Sequence, residues 1–176
     1  DLVAVEKESR RLVIMGNAQR DNRVRWPAVY AVGSSPHGLT LEDLNGDGLV
    51  DIAVANARSA TLSILLNRGK GHFLGQQSLS VAEQPKHVTA SVAAGKRNIA
   101  LISSHPTAER IGVVSWSDDP AHASSFAIPT GTQPYVLYAW QDTTSLSVLV
   151  RYEPRGSTHV SLSLFEQISG RQFLER

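Results

Sequence analysis

The segment Asp43-Leu44-Asn45-Gly46-Asp47-Gly48-Leu49-Val50-Asp51 places side-chain oxygens at positions 1, 3, 5 and 9 of a nine-residue stretch. These are hard donors. Hard cations such as Ca²⁺ take six to eight oxygens at about 2.3–2.6 Å. Alternate residues of a tightly turning loop face inward, so Asp43, Asn45 and Asp47 are expected to converge. The backbone carbonyl of Leu49 would add a fourth oxygen, and Asp51 would close the sphere. Gly46 and Gly48 allow the positive φ that such a turn needs. Three carboxylates this close repel one another unless a cation sits among them. An all-oxygen protein cage suits Ca²⁺ better than Mg²⁺, so the expected cofactor is one Ca²⁺. The alternative is a polar Asn-Gly or Asp-Gly turn that binds nothing. Such a turn needs one or two of these residues, not four oxygens in register and two glycines.

The elements around the loop are strands. An EF-hand would carry a bidentate Glu at position 12 and helices on either side. Position 12 here is Val54, inside the apolar run Ile52-Ala53-Val54-Ala55. Strands are expected at about 36–42, 50–56, 61–67 and 72–81, with Asn45-Gly46, Asn56, Asn67 and Gly69-Lys70-Gly71 at the joints. No convincing helix is visible. The polar stretch Glu6 to Leu12 is short and aligns with a turn of the next unit.

The chain repeats itself. Pro36, Pro85 and Pro134 each open a mostly apolar strand and stand 49 residues apart. The run Leu62-Ser63-Ile64-Leu65-Leu66 returns at the same step as Ile111 to Ser115 and as Val160 to Leu164. Four strands in roughly 40–50 residues is the size of one β-propeller blade. Blades pack on both faces, so their inner strands must be apolar on both sides, as in Ile52–Ala55 and Ile99–Ile102. The expected fold is an all-β propeller of four-stranded blades. The units are expected at 1–35 (partial), 36–84, 85–133 and 134–176 (partial). A sandwich would not repeat its sequence at a fixed step, and a solenoid would repeat at a shorter one.

The loop and its surroundings resemble the calcium loop of the FG-GAP/VCBS repeat, the blade unit of integrin α-chain-type β-propellers. The trailing Asn67-Arg68-Gly69-Lys70-Gly71-His72-Phe73 resembles that family's turn after the third strand. The resemblance is good over 36–81 and weaker beyond. It implies metal ligation by Asp43, Asn45, Asp47, Asp51 and the Leu49 carbonyl. It also implies extracellular or periplasmic adhesion, or recognition of a protein or a carbohydrate.

The other copies of the loop have lost the donors. Ser91-Val92-Ala93-Ala94-Gly95-Lys96-Arg97-Asn98 has no carboxylate, and Trp140-Gln141-Asp142-Thr143-Thr144-Ser145 keeps one. Neither is expected to hold a metal. Asp1 aligns with Asp51, and Ser169 to Leu174 align with the turn before a fourth strand. The chain therefore reads as about three and a half blades, an excerpt of a larger ring for which seven blades is one candidate. An arc left open would expose apolar faces at its ends, which would allow self-association.

Composition sets the remaining bounds. Lys and Arg number 17 against 16 Asp and Glu, a net charge of +1, which gives no reason to propose nucleic acid as a partner. No apolar run is long enough for a membrane helix, so no membrane insertion is expected. Cys is absent, which removes disulfides and thiolate chemistry. His37, His72, His87, His105, His122 and His159 are dispersed without metal-ligand spacing. Asp118-Asp119-Pro120 reads as a turn. Arg20, Arg23 and Arg25 beside Trp26 read as a solvated strand edge. Trp116 and Trp140, at or near strand ends, are expected to be packing residues and not a sugar platform. No catalytic set stands out. The expected function is a non-enzymatic calcium-binding scaffold. A propeller domain of a secreted polysaccharide-degrading enzyme, or a purely structural blade module, is the alternative.

Overall fold

The computed structural model describes residues 2–16, 27–81, 84–92, 99–105, 109–117, 120–130, 132–141, 145–154, 156–157, 159–169 and 172–175. Among the described residues, fifteen strands form four antiparallel sheets, each a simple up-and-down meander. The first sheet holds β1 (Leu2–Glu6), β2 (Arg11–Met15) and β3 (Ala28–Ala31). The second holds β4 (Pro36–Glu42), β5 (Asp51–Asn56), β6 (Thr61–Leu65) and β7 (Gln77–Ser80). The third holds β8 (His87–Val92), β9 (Ile99–His105), β10 (Arg110–Trp116) and β11 (Ser124–Pro129). The fourth holds β12 (Thr132–Gln141), β13 (Leu146–Glu153), β14 (Ser161–Ser169) and β15 (Gln172–Glu175). The only helical element among the described residues is the 3₁₀ turn Pro120–His122. Residues 7–10 form the turn between β1 and β2, as the sequence indicates.

The sheets stack through three apolar seams, one between each neighbouring pair. Strand β5 shows why its sequence is apolar throughout. Side chains alternate across a strand. Ile52 and Val54 join Leu12, Ile14 and Leu65 in the seam toward the first sheet. Ala53 and Ala55 join Leu62, Ile64, Leu101 and Trp116 in the seam toward the third. Strand β9 repeats the logic. Ile99 and Leu101 face the second sheet, while Ala100 and Ile102 join Val148, Val150 and Phe165 toward the fourth. All of β5 and all of β9 is buried. Truncating a fully buried Leu101 or Ile64 to Ala would cost about 2–5 kcal/mol.

Two expectations need correction. The fourth strand of the second sheet is Gln77–Ser80 and does not begin at 72, because 67–74 is occupied by a closed turn with a bridge between Asn67 and Phe73. The fourth sheet does have its fourth strand. Phe165 to Ser169 pair with Gln172 to Glu175 through a short connection that omits the long turn of the second sheet.

The sheets that end the stack each present an outward face. Tyr138, Trp140, Leu162 and Leu174 are exposed in the fourth, and Leu2 and Val29 in the first. A closed ring is not formed by the described residues; the four sheets follow one another in a row.

Candidate metal centre

The loop 43–50 joins the innermost strand β4 to β5 and is anchored at both ends. Leu44 is fully buried and points into the seam with the third sheet. Trp116 Nε1 donates to the Leu44 carbonyl at 3.1 Å. Gly46 and Gly48 have φ of 77° and 86°, the left-handed region expected for them.

The acidic side chains fold the loop around themselves. Asp43 Oδ1 accepts from the amides of Gly46 at 2.7 Å and Asp47 at 3.1 Å, and its Oδ2 accepts from Gly48 at 2.8 Å. Asn45 Oδ1 accepts from Asp47 N at 3.0 Å, and Asn45 Nδ2 donates to Asp47 Oδ2 at 2.9 Å. Asp47 Oδ1 accepts from Leu49 N at 2.8 Å. Asp43, Asn45 and Asp47 are thus brought together.

Asp51 sits behind them, fully buried at the start of β5. Its Oδ2 accepts from Leu44 N at 2.8 Å and its Oδ1 from Asn67 N at 2.7 Å. Burial raises the Asp51 pKa above the usual carboxylate value. The amides of Asn67 and Leu44 work against that rise, and the charges of Asp47 and Asp43 add to it.

The turn after β6 is locked to the same point. Asn67 Nδ2 donates to Val50 O at 2.9 Å, and Asn67 Oδ1 accepts from Gly69 N at 2.8 Å. Arg68 N donates to His72 O at 2.7 Å, which closes the turn. Phe73 then meets Tyr30 of the first sheet edge-on, with centroids 5.7 Å apart, and its amide donates to the Tyr30 hydroxyl at 3.1 Å. The Asn-Gly-Gly-Phe pattern is therefore a brace that joins the loop to the neighbouring sheet.

The donor chemistry fits a hard cation. Five oxygen-bearing positions lie within nine residues, and burial, to which the charges of Asp47 and Asp43 add, disfavours ionisation of Asp51. In the arrangement described, the carboxylates face backbone amides. Among the described residues, no three His, Cys, Asp or Glu side chains are gathered as a metal-holding group. Each carboxylate oxygen can accept more than one interaction, so amide bonding does not exhaust it.

Other residues fall as follows. Trp116 is buried, as expected of a packing residue, but Trp140 is 40% exposed and stacks on Tyr138. The packing expectation for Trp140 fails because its face of the fourth sheet meets no further sheet among the described residues. His37 and His87, separate in sequence, come within electrostatic reach at the start of the inner strands. His87 lies against Tyr135 with centroids 4.3 Å apart. Residues 93–98 and 142–144 of the other two loop copies lie outside the described residues, as do Asp1, Arg20, Arg23, Arg25, Trp26, Asp118 and Asp119.

A family profile described as an FG-GAP-like repeat matches residues 43–95, which begin at the first acid of the loop and take in the brace. No curated protein matches the chain in sequence.

Proposed function

We propose that this chain, whose residues 43–95 are an FG-GAP-like repeat, is a run of blades from a calcium-stabilised β-propeller that serves as a non-catalytic recognition scaffold. FG-GAP repeats are in general scaffold units and not catalytic ones. The observation that carries the reading is the loop 43–51: three acids and an asparagine packed on backbone amides, braced by Asn67 and seated on Trp116. Asp43, Asn45, Asp47, Asp51 and the Leu49 carbonyl would hold one Ca²⁺. The ion would supply positive charge beside Asp51, whose ionised form burial opposes.

The rest of the reading follows from the stack. Each sheet offers two apolar faces, so further blades, or a second copy, would cover the outward faces at Leu2 and Val29 and at Tyr138 and Leu162. The ligand class is protein or glycan. The compartment is extracellular or periplasmic, where millimolar Ca²⁺ would fill even a weak one-loop site. No helix among the described residues is long and apolar enough to cross a membrane.

Calcium titration by calorimetry, paired with thermal melts in Ca²⁺ and in EDTA, tests the metal reading. One site per chain is expected. Saturation at about 100 times Kd should add about 2.7 kcal/mol of stability. Asp47→Asn should weaken the binding heat while leaving the EDTA melt close to that of the parent. Absence of binding heat, or two or more tight sites, overturns the reading.

A further inference from the structure

The strands β4, β8 and β12 lie at the edges of three successive sheets, each with a hydrogen-bonded neighbour on one side only. These edges come together near their starts. At Gly38 the backbones of β4 and β8 are so close that a Cβ would lie 2.8 Å from the Lys86 carbonyl oxygen and 3.0 Å from the His87 Cα. Beside that contact opens a cavity of ≈ 290 Å³, lined by Gly38 and Thr40 of β4, His87 and Thr89 of β8, and Tyr135 of β12. That volume suits a small ligand or one group of a larger one. Tyr138, Trp140 and Leu162, which mark the outward face of the fourth sheet, take no part in the lining.

Four polar side chains converge on this cavity. The rings of His87 and Tyr135 lie against each other, with centroids 4.3 Å apart. Thr40 and Thr89 hold the same place, 49 residues apart, in adjacent edge strands. Among the described residues, neither the three hydroxyls nor the His87 ring makes a hydrogen bond to the protein. The charges that act on His87 are both positive: His37 on β4, and Lys86 beside it on β8. From β12 comes the Tyr135 phenol, and β9 places Ser104 opposite His87. Among the described residues no carboxylate lines the cavity.

We infer that this cavity is a subsite for a small oxyanion, a sulfate or phosphate group that is free or carried on a larger ligand. The hydroxyls of Thr40, Thr89 and Tyr135 donate to its oxygens. Protonated His87 adds a charge-assisted N–H, and Lys86 and His37 attract from farther away. A cationic ligand would meet that positive charge. A metal ion would find no group of three His, Cys, Asp or Glu among the described residues. A purely apolar ligand would dry four polar groups without pairing them. The site is separate from the acidic loop and does not depend on whether that loop holds an ion.

Sulfate is the probe, because it keeps its charge between about pH 5.5 and about pH 8, where histidine changes its own. Calorimetric titration of the full chain with sodium sulfate, at constant ionic strength, should show about tenfold tighter binding at the lower pH. His87→Gln should weaken binding there about tenfold and remove the pH dependence, and Tyr135→Phe should weaken it about threefold. Lys70→Gln, which removes an exposed positive charge at the other end of the second sheet, should leave the affinity unchanged. Thermal melts establish that each variant is folded. Saturating sulfate should also raise the pKa of the His87 ring read by NMR. Inorganic phosphate and galactose 6-sulfate are run alongside. Tighter binding of the sugar ester assigns the anion to a glycan, and tighter binding of the inorganic ions assigns it to a free ion. Absence of heat from every anion overturns the subsite, as does sulfate affinity that is equal at the two pH values or retained by His87→Gln. Galactose that binds as tightly as its sulfate ester overturns it too. The calcium titration is read separately and is untouched by any of these results.

Discussion

Trp116 at the end of β10 donates its indole N–H to the carbonyl oxygen of Leu44, 72 residues earlier, across the seam between the second and third sheets. Both residues are buried, and Leu44 is the second residue of the acidic loop. The third sheet therefore holds the floor of a loop that belongs to the second. Trp116→Phe keeps most of the ring but removes this donor. It should cost about 1–3 kcal/mol in urea unfolding, and it should weaken calcium binding although Trp116 is not a ligand. Unchanged stability would show that the bond contributes nothing.

Asp43 has a structural role separable from any ion. Its carboxylate receives three backbone amides, from Gly46, Asp47 and Gly48. Asp43→Ala strips all three and should destabilise the chain by about 1–3 kcal/mol even in EDTA. Asp47, which receives the Leu49 amide and an Asn45 side-chain bond at an exposed position, should cost less when changed to Asn. Equal melts for the two variants in EDTA would contradict this ordering.

A polar pair at the end of β5 has been exchanged as a unit in β9. Asn56 Nδ2 donates to Ser63 Oγ at 2.8 Å in the second sheet. At the same places 49 residues later stand His105 and Gly112, with His105 Nε2 bonded to Ser103 Oγ at 2.9 Å. A Cβ at Gly112 would lie 2.7 Å from His105 Nε2 and 3.0 Å from Ser103 Oγ. Gly112→Ser should therefore cost about 1–3 kcal/mol by overpacking. Adding His105→Asn should restore much of that loss. The double-mutant cycle is expected to give a coupling of about 0.5–3 kcal/mol, and simple additivity would refute the exchange.

The imidazole of His87 should titrate below the ordinary histidine value. Partial burial is the main cause, and the charges of His37 and Lys86 add to it. The folded state then binds fewer protons than the unfolded one across the window between the two pKa values. The contribution to stability is present above the unfolded value near 6.5 and is lost as pH falls through the folded one. Proton NMR of the ring across that range reads the pKa directly, and Lys86→Ala should raise it. A His87 pKa at or above the model-peptide value would remove the effect.

Much of the architecture is legible in the sequence because a stacked sheet has to satisfy two seams at once. That demand writes Ile52-Ala53-Val54-Ala55 and Ile99-Ala100-Leu101-Ile102 as unbroken apolar runs, and it repeats them at nearly the interval of the prolines. The acid loop is legible for a related reason: its oxygens and glycines are local and need no tertiary information. What the sequence hides is convergence between sheets. His87 meets Tyr135 and feels the charge of His37 only because three inner strands approach one another, and no spacing encodes that approach. Ser91 and Trp140 share a register with Glu42, yet only the fold turns register into a common pocket. Strand β15 is not signalled by the sequence, because only two residues separate it from β14 and the turn pattern that marks the second sheet is not repeated there.

The three seams have a consequence for how the chain comes apart. Each sheet shares apolar contacts with its immediate neighbours, so the stack is connected like a row and not like a single droplet. Injury to one member should loosen those beside it first and reach distant ones only by passing along the line. Hydrogen exchange should accordingly grade from the outermost sheets inward, with the amides of β5 and β9 the last to yield.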